Sequence, residues 1–168
     1  YALNHPETEV GQQLAHRLHM PTPRIGLGQK LASMGLATSM MDVSDGLVQD
    51  LGHLCQQSQV AMRLQLDKLP TSKPLQQVDL AERLRCQLTG GDDYELVFTL
   101  PSSVQLPQSL LSSVSTQVTC IGEVVGLEQA QIDANNFGAS AIKLSYQGAA
   151  VTEQTPYPFD SFPNLKGY

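Results

Sequence analysis

Between Leu47 and Leu66 the apolar spacing changes from the period of a helix to that of a strand, and this switch constrains the fold more than any other feature. Leu47, Leu51, Leu54 and Cys55 stand at i, i+4, i+7 and i+8, the stripe of a core-facing helix. Val60, Met62, Leu64 and Leu66 then alternate with Ala61, Arg63 and Gln65, the pattern of a half-exposed strand. The same exchange recurs along the chain. Val10, Leu14 and Leu18 predict a helix from Glu7 to about His19, broken by Pro21-Thr22-Pro23. Leu27, Leu31 and Met34 predict a second helix, stopped by Gly35, and Thr38–Asp42 a short buried strand. A polar loop over 71–77 and a short helix at Val78–Gln87 precede the nearly continuous apolar run Tyr94–Leu100, which reads as a central strand. Pro107 can open a helix that carries Leu110, Leu111 and Val114. Val118–Val125 reads as a strand, Asp133–Gly138 as a turn, and Ile142, Leu144 and Tyr146 mark a last strand.

Helices and strands interleaved in this way predict an α/β or α+β layered domain, a mixed sheet flanked by helices. At 168 residues the chain has the length of a single domain, 1–168. Residues 1–23 form its leading helix and linker, and 155–168 an irregular tail in which Pro156, Pro158 and Pro163 forbid a central strand. A net charge of −6 argues against nucleic acid or an anionic membrane as partner. No apolar run approaches the roughly 20 residues of a membrane span. The start lacks a basic and apolar leader, and Cys55, Cys86 and Cys120 include no Cys-x-x-Cys pair, so buried thiols in a reducing cytoplasm are expected.

Two acidic segments carry the chemistry. Asp42-Val43-Ser44-Asp45-Gly46-Leu47 places two carboxylates and a hydroxyl at a strand-to-helix turn, where outward backbone N–H groups favour anions. Two carboxylates about 4 Å apart repel by roughly 4 kcal/mol at an intermediate dielectric, and a hard cation such as Mg2+ removes that repulsion. The bland reading of the same residues is an N-cap, with Ser44 or Asp45 satisfying the first N–H groups of the following helix. Thr89-Gly90-Gly91-Asp92-Asp93-Tyr94-Glu95-Leu96 reverses the order, an acidic glycine loop feeding a strand. Its bland reading is a tight turn with a solvated acidic pair, and Tyr94 reads as core. Glu95, inside an apolar strand, needs a partner or an exposed face. His5, His16, His19 and His53 show no metal spacing, with His53 on a polar helix face, and Arg24 and Lys30 read as solvated cations. Phe159 and Phe162 are either packing anchors or a stacking face for a flat cationic ring. No Walker-type loop and no nucleophile–His–Asp set is present.

The elbow at 42–47 with Asp50-Leu51-Gly52-His53 behind it, followed by Gly90–Leu96, resembles the C-terminal domain of bacterial thiamine-monophosphate kinases, members of the aminoimidazole ribonucleotide synthetase-like superfamily. Pro21-Thr22-Pro23-Arg24 and Phe159-Asp160-Ser161-Phe162 fit the same order. The resemblance implies ATP-dependent phosphorylation of thiamine monophosphate to thiamine diphosphate, with no covalent nucleophile, in a homodimeric enzyme. It implies that Asp42 and Asp45 bind Mg2+, that Ser44 contacts ATP, and that Asp92 and Phe159 meet the substrate. Asp92 stands where the family has glutamate, and Tyr168 is a second candidate for the tail aromatic. The family's N-terminal ATP- and metal-binding, dimer-forming domain has no counterpart in this sequence, so the chain by itself is expected to be inactive. Rival readings are another ATP-dependent synthetase of the superfamily and a non-catalytic interaction or regulatory module of the same fold.

Overall fold

The computed structural model describes residues 1–127 and 138–151. In chain order the elements are α1 (Glu9–His19), α2 (Ile25–Ser33), β1 (Ser39–Val43), α3 (Leu47–Ser58), β2 (Ala61–Gln65), α4 (Leu80–Thr89), β3 (Glu95–Thr99), α5 (Gln108–Ser113), β4 (Gly122–Val125), β5 (Ile142–Tyr146) and β6 (Ala149–Val151). Single 3-10 turns lie at Leu66–Lys68, Leu75–Gln77 and Gly138–Ala141. The helix boundaries follow local chemistry. The Thr8 hydroxyl accepts from the Gly11 N–H at 3.0 Å to start α1, and Asp79 accepts from the Ala81 N–H at 2.9 Å to start α4. Beyond α2, Gly35 takes the left-handed conformation, φ +61°, that ends many helices.

The strands form two sheets. Four of them, in the order β4-β2-β5-β6, make a mixed sheet in which β2 and β5 run parallel and the outer pairs antiparallel. The other two, β1 and β3, make an antiparallel ribbon in the register Asp42↔Leu96 and Val43↔Glu95. The interleaved α/β architecture, with a mixed sheet and flanking helices, thus agrees with the sequence. The run 94–100 differs from expectation: among the described residues β3 pairs with β1 alone, and all five of its residues are half-buried. Its continuous apolarity has another cause, because the ribbon lies between two cores. Val97 packs against the larger core, while Met40, Leu96 and Phe98 pack against the smaller. Likewise Val118 joins the smaller core outside any ladder, so only 122–125 of the expected 118–125 strand forms. Pro107 precedes α5 as its cap residue rather than opening it as the first helical residue. The 133–137 part of the expected turn and the 155–168 tail lie outside the described residues.

The larger core joins Val48, Leu51 and Cys55 of α3 to Leu84 and Leu88 of α4 and to Ala61, Met62, Leu64, Ile142 and Leu144 of the mixed sheet. Each fully buried leucine there contributes about 1.5–3 kcal/mol relative to exposure. The smaller core gathers Leu27 and Leu31 of α2 with Leu110 of α5. Helix α3 therefore stands on the larger core, and its first turn abuts the end of the ribbon.

Candidate functional site

At that junction the two acidic segments meet, backbone to backbone. Strand β1 ends at Val43, whose carbonyl accepts the Tyr94 N–H at 2.8 Å, and the Ser44 carbonyl accepts the Asp92 N–H at 2.8 Å. The glycines permit this approach. A Cβ on Gly91 would lie 2.9 Å from the Ser44 carbonyl oxygen, and one on Gly46 would lie 3.2 Å from the Thr89 backbone. Gly46 also sits at φ +134°, where other residues are strained. Its role is to let the 89–91 backbone close on the elbow.

The elbow itself is organised from inside by Asp50. This carboxylate is 2% exposed and accepts three consecutive N–H groups on one oxygen, from Ser44 at 3.0 Å, Asp45 at 3.1 Å and Gly46 at 3.2 Å. The expectation that the elbow amides point outward toward an anion is therefore corrected: they point inward. A buried carboxylate needs such donors, and the loop needs an acceptor for amides that the helix leaves orphaned. The N-cap reading is corrected as well. Gly46 occupies the cap position with no side-chain cap bond, so neither Ser44 nor Asp45 caps α3. What the elbow presents outward is carboxylate. Asp42 and Asp45 are exposed, with Asp45 accepting from the Gln49 amide at 3.4 Å, and Ser44 is half-buried with its hydroxyl unpartnered among the described residues.

His53 departs from the sequence reading. One ligand atom each of Asp45, Asp50 and His53 lies within 4.8 Å of the others, although the imidazole is indeed on an exposed face. The helical step from Asp50 to His53 brings this about. Tyr94 is also not core: it is 40% exposed, and its hydroxyl lies 3.3 Å from Asp92 Oδ1. Both Asp92, at φ +62°, and Tyr94, at φ +51°, adopt the left-handed conformation, which is costly for a bulky residue. The hydrogen bond to Asp92 raises the Tyr94 phenol above its ordinary pKa, and the charges of Asp42 and Asp45 push the same way. The phenol thus senses all three carboxylates and makes its hydrogen bond to Asp92.

Behind this acidic front stands a cationic brace. Arg24 grips both oxygens of Glu95, from Nε and Nη2, each at 2.7 Å, and Arg17 reaches Oε1 at 2.7 Å. Arg24 is largely buried rather than solvated as expected, and the Arg24 hydrogen bond holds the Glu95 carboxyl below its usual range. Asp93 is displaced the other way, first by partial desolvation of its carboxyl and then by the Glu95 charge. Lys30 takes no part and donates to Ser113 at 2.7 Å. Of the residues expected at the site, Asp42, Ser44, Asp45 and Asp92 are brought together, while Phe159 and Tyr168 lie outside the described residues. Asp50 was missed as a site residue. Its signal is an acid flanked by Leu47, Leu51 and Leu54 on the buried side of α3, a position that demands internal donors.

A ribbon-end acidic elbow set on a mixed-sheet domain defines a class that comparison identifies. Residues 2–134 match the family model described as AIR synthase related protein, C-terminal domain, and the chain belongs to that family. Within it the similarity is to thiamine-monophosphate kinases. The enzyme of Haemophilus influenzae is 41% identical over 113 residues, covering 66% of this chain and 34% of the relative. That of Salmonella typhimurium is 37% identical over 145 residues, covering 83% and 42%. The crystal structure of the Stenotrophomonas maltophilia thiamine-monophosphate kinase superposes with a TM-score of 0.68 at 30% identity, over 89% of this chain and 46% of that one. A structure described as AaThiL complexed with AMPPCP and TMP gives 0.61 at 30% identity, over 87% and 42%. The chain spans between a third and a half of the length of these relatives. Among the described residues no helix is long and apolar enough to cross a membrane.

Proposed function

We propose that this chain is the C-terminal portion of an ATP-dependent kinase that phosphorylates thiamine monophosphate to thiamine diphosphate, acting in the cytoplasm as a homodimer. The observation that carries the reading is the elbow, where Asp50 draws the amides inward and leaves Asp42 and Asp45 facing outward. A turn built so favours cations over phosphate at its tip, and hard carboxylate oxygens are what Mg2+ takes. The resemblance of the motifs and the structure bound to AMPPCP and TMP support ATP and thiamine monophosphate as the two substrates.

In this reading Asp42 and Asp45 hold Mg2+, Ser44 meets the nucleotide through its hydroxyl, and Asp92 and Phe159 meet the thiamine moiety. When bound, the metal supplies charge neutralisation for the transferring phosphoryl group. The residues of this chain bind and orient. Asp92 faces the substrate as an acceptor fixed by its left-handed backbone and by the Tyr94 hydroxyl. None acts as a covalent nucleophile, because the attacking group is an oxygen of the substrate's own phosphate. Phosphoryl transfer depends on positioning and on several cationic groups together. The isolated chain, with one portion of such a cluster, is therefore expected to be inactive, and the complete protein active. Steady-state assay of both with ATP, Mg2+ and thiamine monophosphate tests this. Robust turnover by the isolated chain refutes the partial-site reading. An Asp42→Asn, Asp45→Asn variant of the complete protein that keeps its full rate refutes the metal assignment; the expected loss is on the order of a hundredfold or more.

A further inference from the structure

We infer that Asp50 is a positioning residue that sets the cation affinity of the elbow without being a ligand. The inference rests on the reading of Asp42 and Asp45 as cation-holding groups, and adds the device that aims them. Three N–H donors from Ser44, Asp45 and Gly46 converge on Oδ2 of a carboxylate that is 2% exposed. Three donors are more than the lone pairs of one oxygen accommodate singly, so that atom has nothing left for a metal. The remaining route to a ligand role is the other oxygen, Oδ1, because ligand atoms of Asp45, Asp50 and His53 lie within 4.8 Å of one another.

Two features favour aiming over ligation. First, Asp50 is carried by the turn of α3 that also carries Val48 and Leu51, both buried in the larger core. The carboxylate therefore ties a loop without regular structure to the larger core. Second, without an internal acceptor the three amides would turn to solvent, and the elbow would present donors where Asp42 and Asp45 must gather positive charge. Residues that orient metal ligands from behind act in this way.

Binding of Mn2+, used as a paramagnetic substitute for Mg2+ in the complete protein and followed by electron paramagnetic resonance, tests the inference without any assay of turnover. Asp50→Asn is expected to weaken Mn2+ by about tenfold or more, the range seen when groups behind metal ligands are altered. Leu144→Ala, which opens the same core from β5 rather than from the turn that carries Asp50, should leave Mn2+ affinity within about twofold for the folded protein. His53→Ala should also leave it within about twofold, and the spin-echo spectrum of bound Mn2+ should lack nitrogen coupling from an imidazole. An imidazole signal together with equal losses in His53→Ala and Asp50→Asn would make Asp50 a ligand and overturn the inference. Unchanged affinity in Asp50→Asn overturns it too. If Asp45→Asn is equally silent, the cation-site reading fails instead. Should Asp50→Asn not fold, amide hydrogen exchange of the unaltered protein decides. The Ser44, Asp45 and Gly46 amides should be protected like those of α3, and exchange at open-loop rates would sink the proposal.

Discussion

The two ends of α3 rest on different physics. Its later turns bury Leu51 and Cys55 among leucines of α4 and the mixed sheet, where side-chain volume decides what fits. Its first turn meets an elbow held by three amides on one carboxylate, two carbonyl-to-amide bonds across to the glycine loop, and glycines too close to their neighbours for a Cβ. Facing it across the junction, Asp92 and Tyr94 stand at positive φ, while at the far end of the helix the C-cap Gln59 does so alone. The core specifies that the chain folds, and the polar junction specifies where the carboxylates point. Substitutions should separate these two consequences.

The largest effect on stability belongs to the core. Leu88 is 0% exposed and is packed with Leu84 against α3 and the sheet. Leu88→Ala should cost about 2–5 kcal/mol, read as a lower denaturant midpoint. Cation affinity of the molecules that remain folded should be unchanged. A loss of affinity parallel to the loss of stability would show that the two ends of α3 are not separable.

Gly91→Ala inverts the comparison. Its new Cβ would sit 2.9 Å from the Ser44 carbonyl oxygen, so the two loops must part by a few tenths of an ångström. The expected cost is about 1–3 kcal/mol, as for other overpacked contacts. Mn2+ affinity should fall by more than Leu88→Ala reduces it, although the stability loss is smaller. An alanine accepted with neither change would mean that the junction tolerates separation and that the glycine serves only the turn.

A smaller effect is expected at the cationic brace. The Arg24 hydrogen bond and the charges of Arg24 and Arg17 depress the Glu95 pKa on folding. The sign follows from that depression. The contribution to stability is complete above the unfolded carboxylate value, near 4.5, and is lost as pH falls through the lower folded value. The Glu95 side chain is 44% exposed, so screening limits the pair to about 0.2–1 kcal/mol. Glu95→Gln should remove that share of the acid dependence of unfolding below the unfolded carboxylate value while leaving the neutral-pH core intact. An unaltered acid profile would mean that the brace is decorative.

How far the molecule was legible in its sequence follows the same division. Apolar period depends on side chains alone, so α1 to α5, β2 and β5 could be read within a few residues, as could the mixed α/β class. Continuous apolarity at 94–100 misled because a strand pressed between two cores looks like the centre of a sheet. At the site, residue identity pointed to Asp42, Ser44, Asp45 and Asp92, which the fold does bring together. The direction of the 44–46 amides was not legible, since backbone orientation depends on which carboxylate waits inside. Asp50 could have been suspected from its place in an apolar stripe, and His53 from its position one turn further on. The left-handed backbone that exposes Tyr94 leaves no mark in composition or period, which is why the sequence alone points that ring into the core.

The three cysteines offer the gentlest probe, because it alters no residue. Cys55 is fully buried in the larger core, and burial pushes its thiol up to about 11. Cys86 is half-buried on α4, whose end feeds the glycine loop through the bond from the Gly90 N–H to the Cys86 carbonyl at 2.9 Å. Its thiol is raised as well, again by burial first. Cys120 is exposed. Thiolate is the reactive form, so a disulfide reagent near pH 8 should modify Cys120 first, Cys86 more slowly, and Cys55 only as fast as the core opens. The interval between Cys86 and Cys55 then measures how independently the site end moves. Gly91→Ala should shorten the wait for Cys86 and leave that for Cys55 nearly unchanged, whereas Leu88→Ala should accelerate Cys55 itself. If both substitutions speed both thiols equally, the junction and the core open as one unit, and the elbow owes its shape to side-chain packing after all.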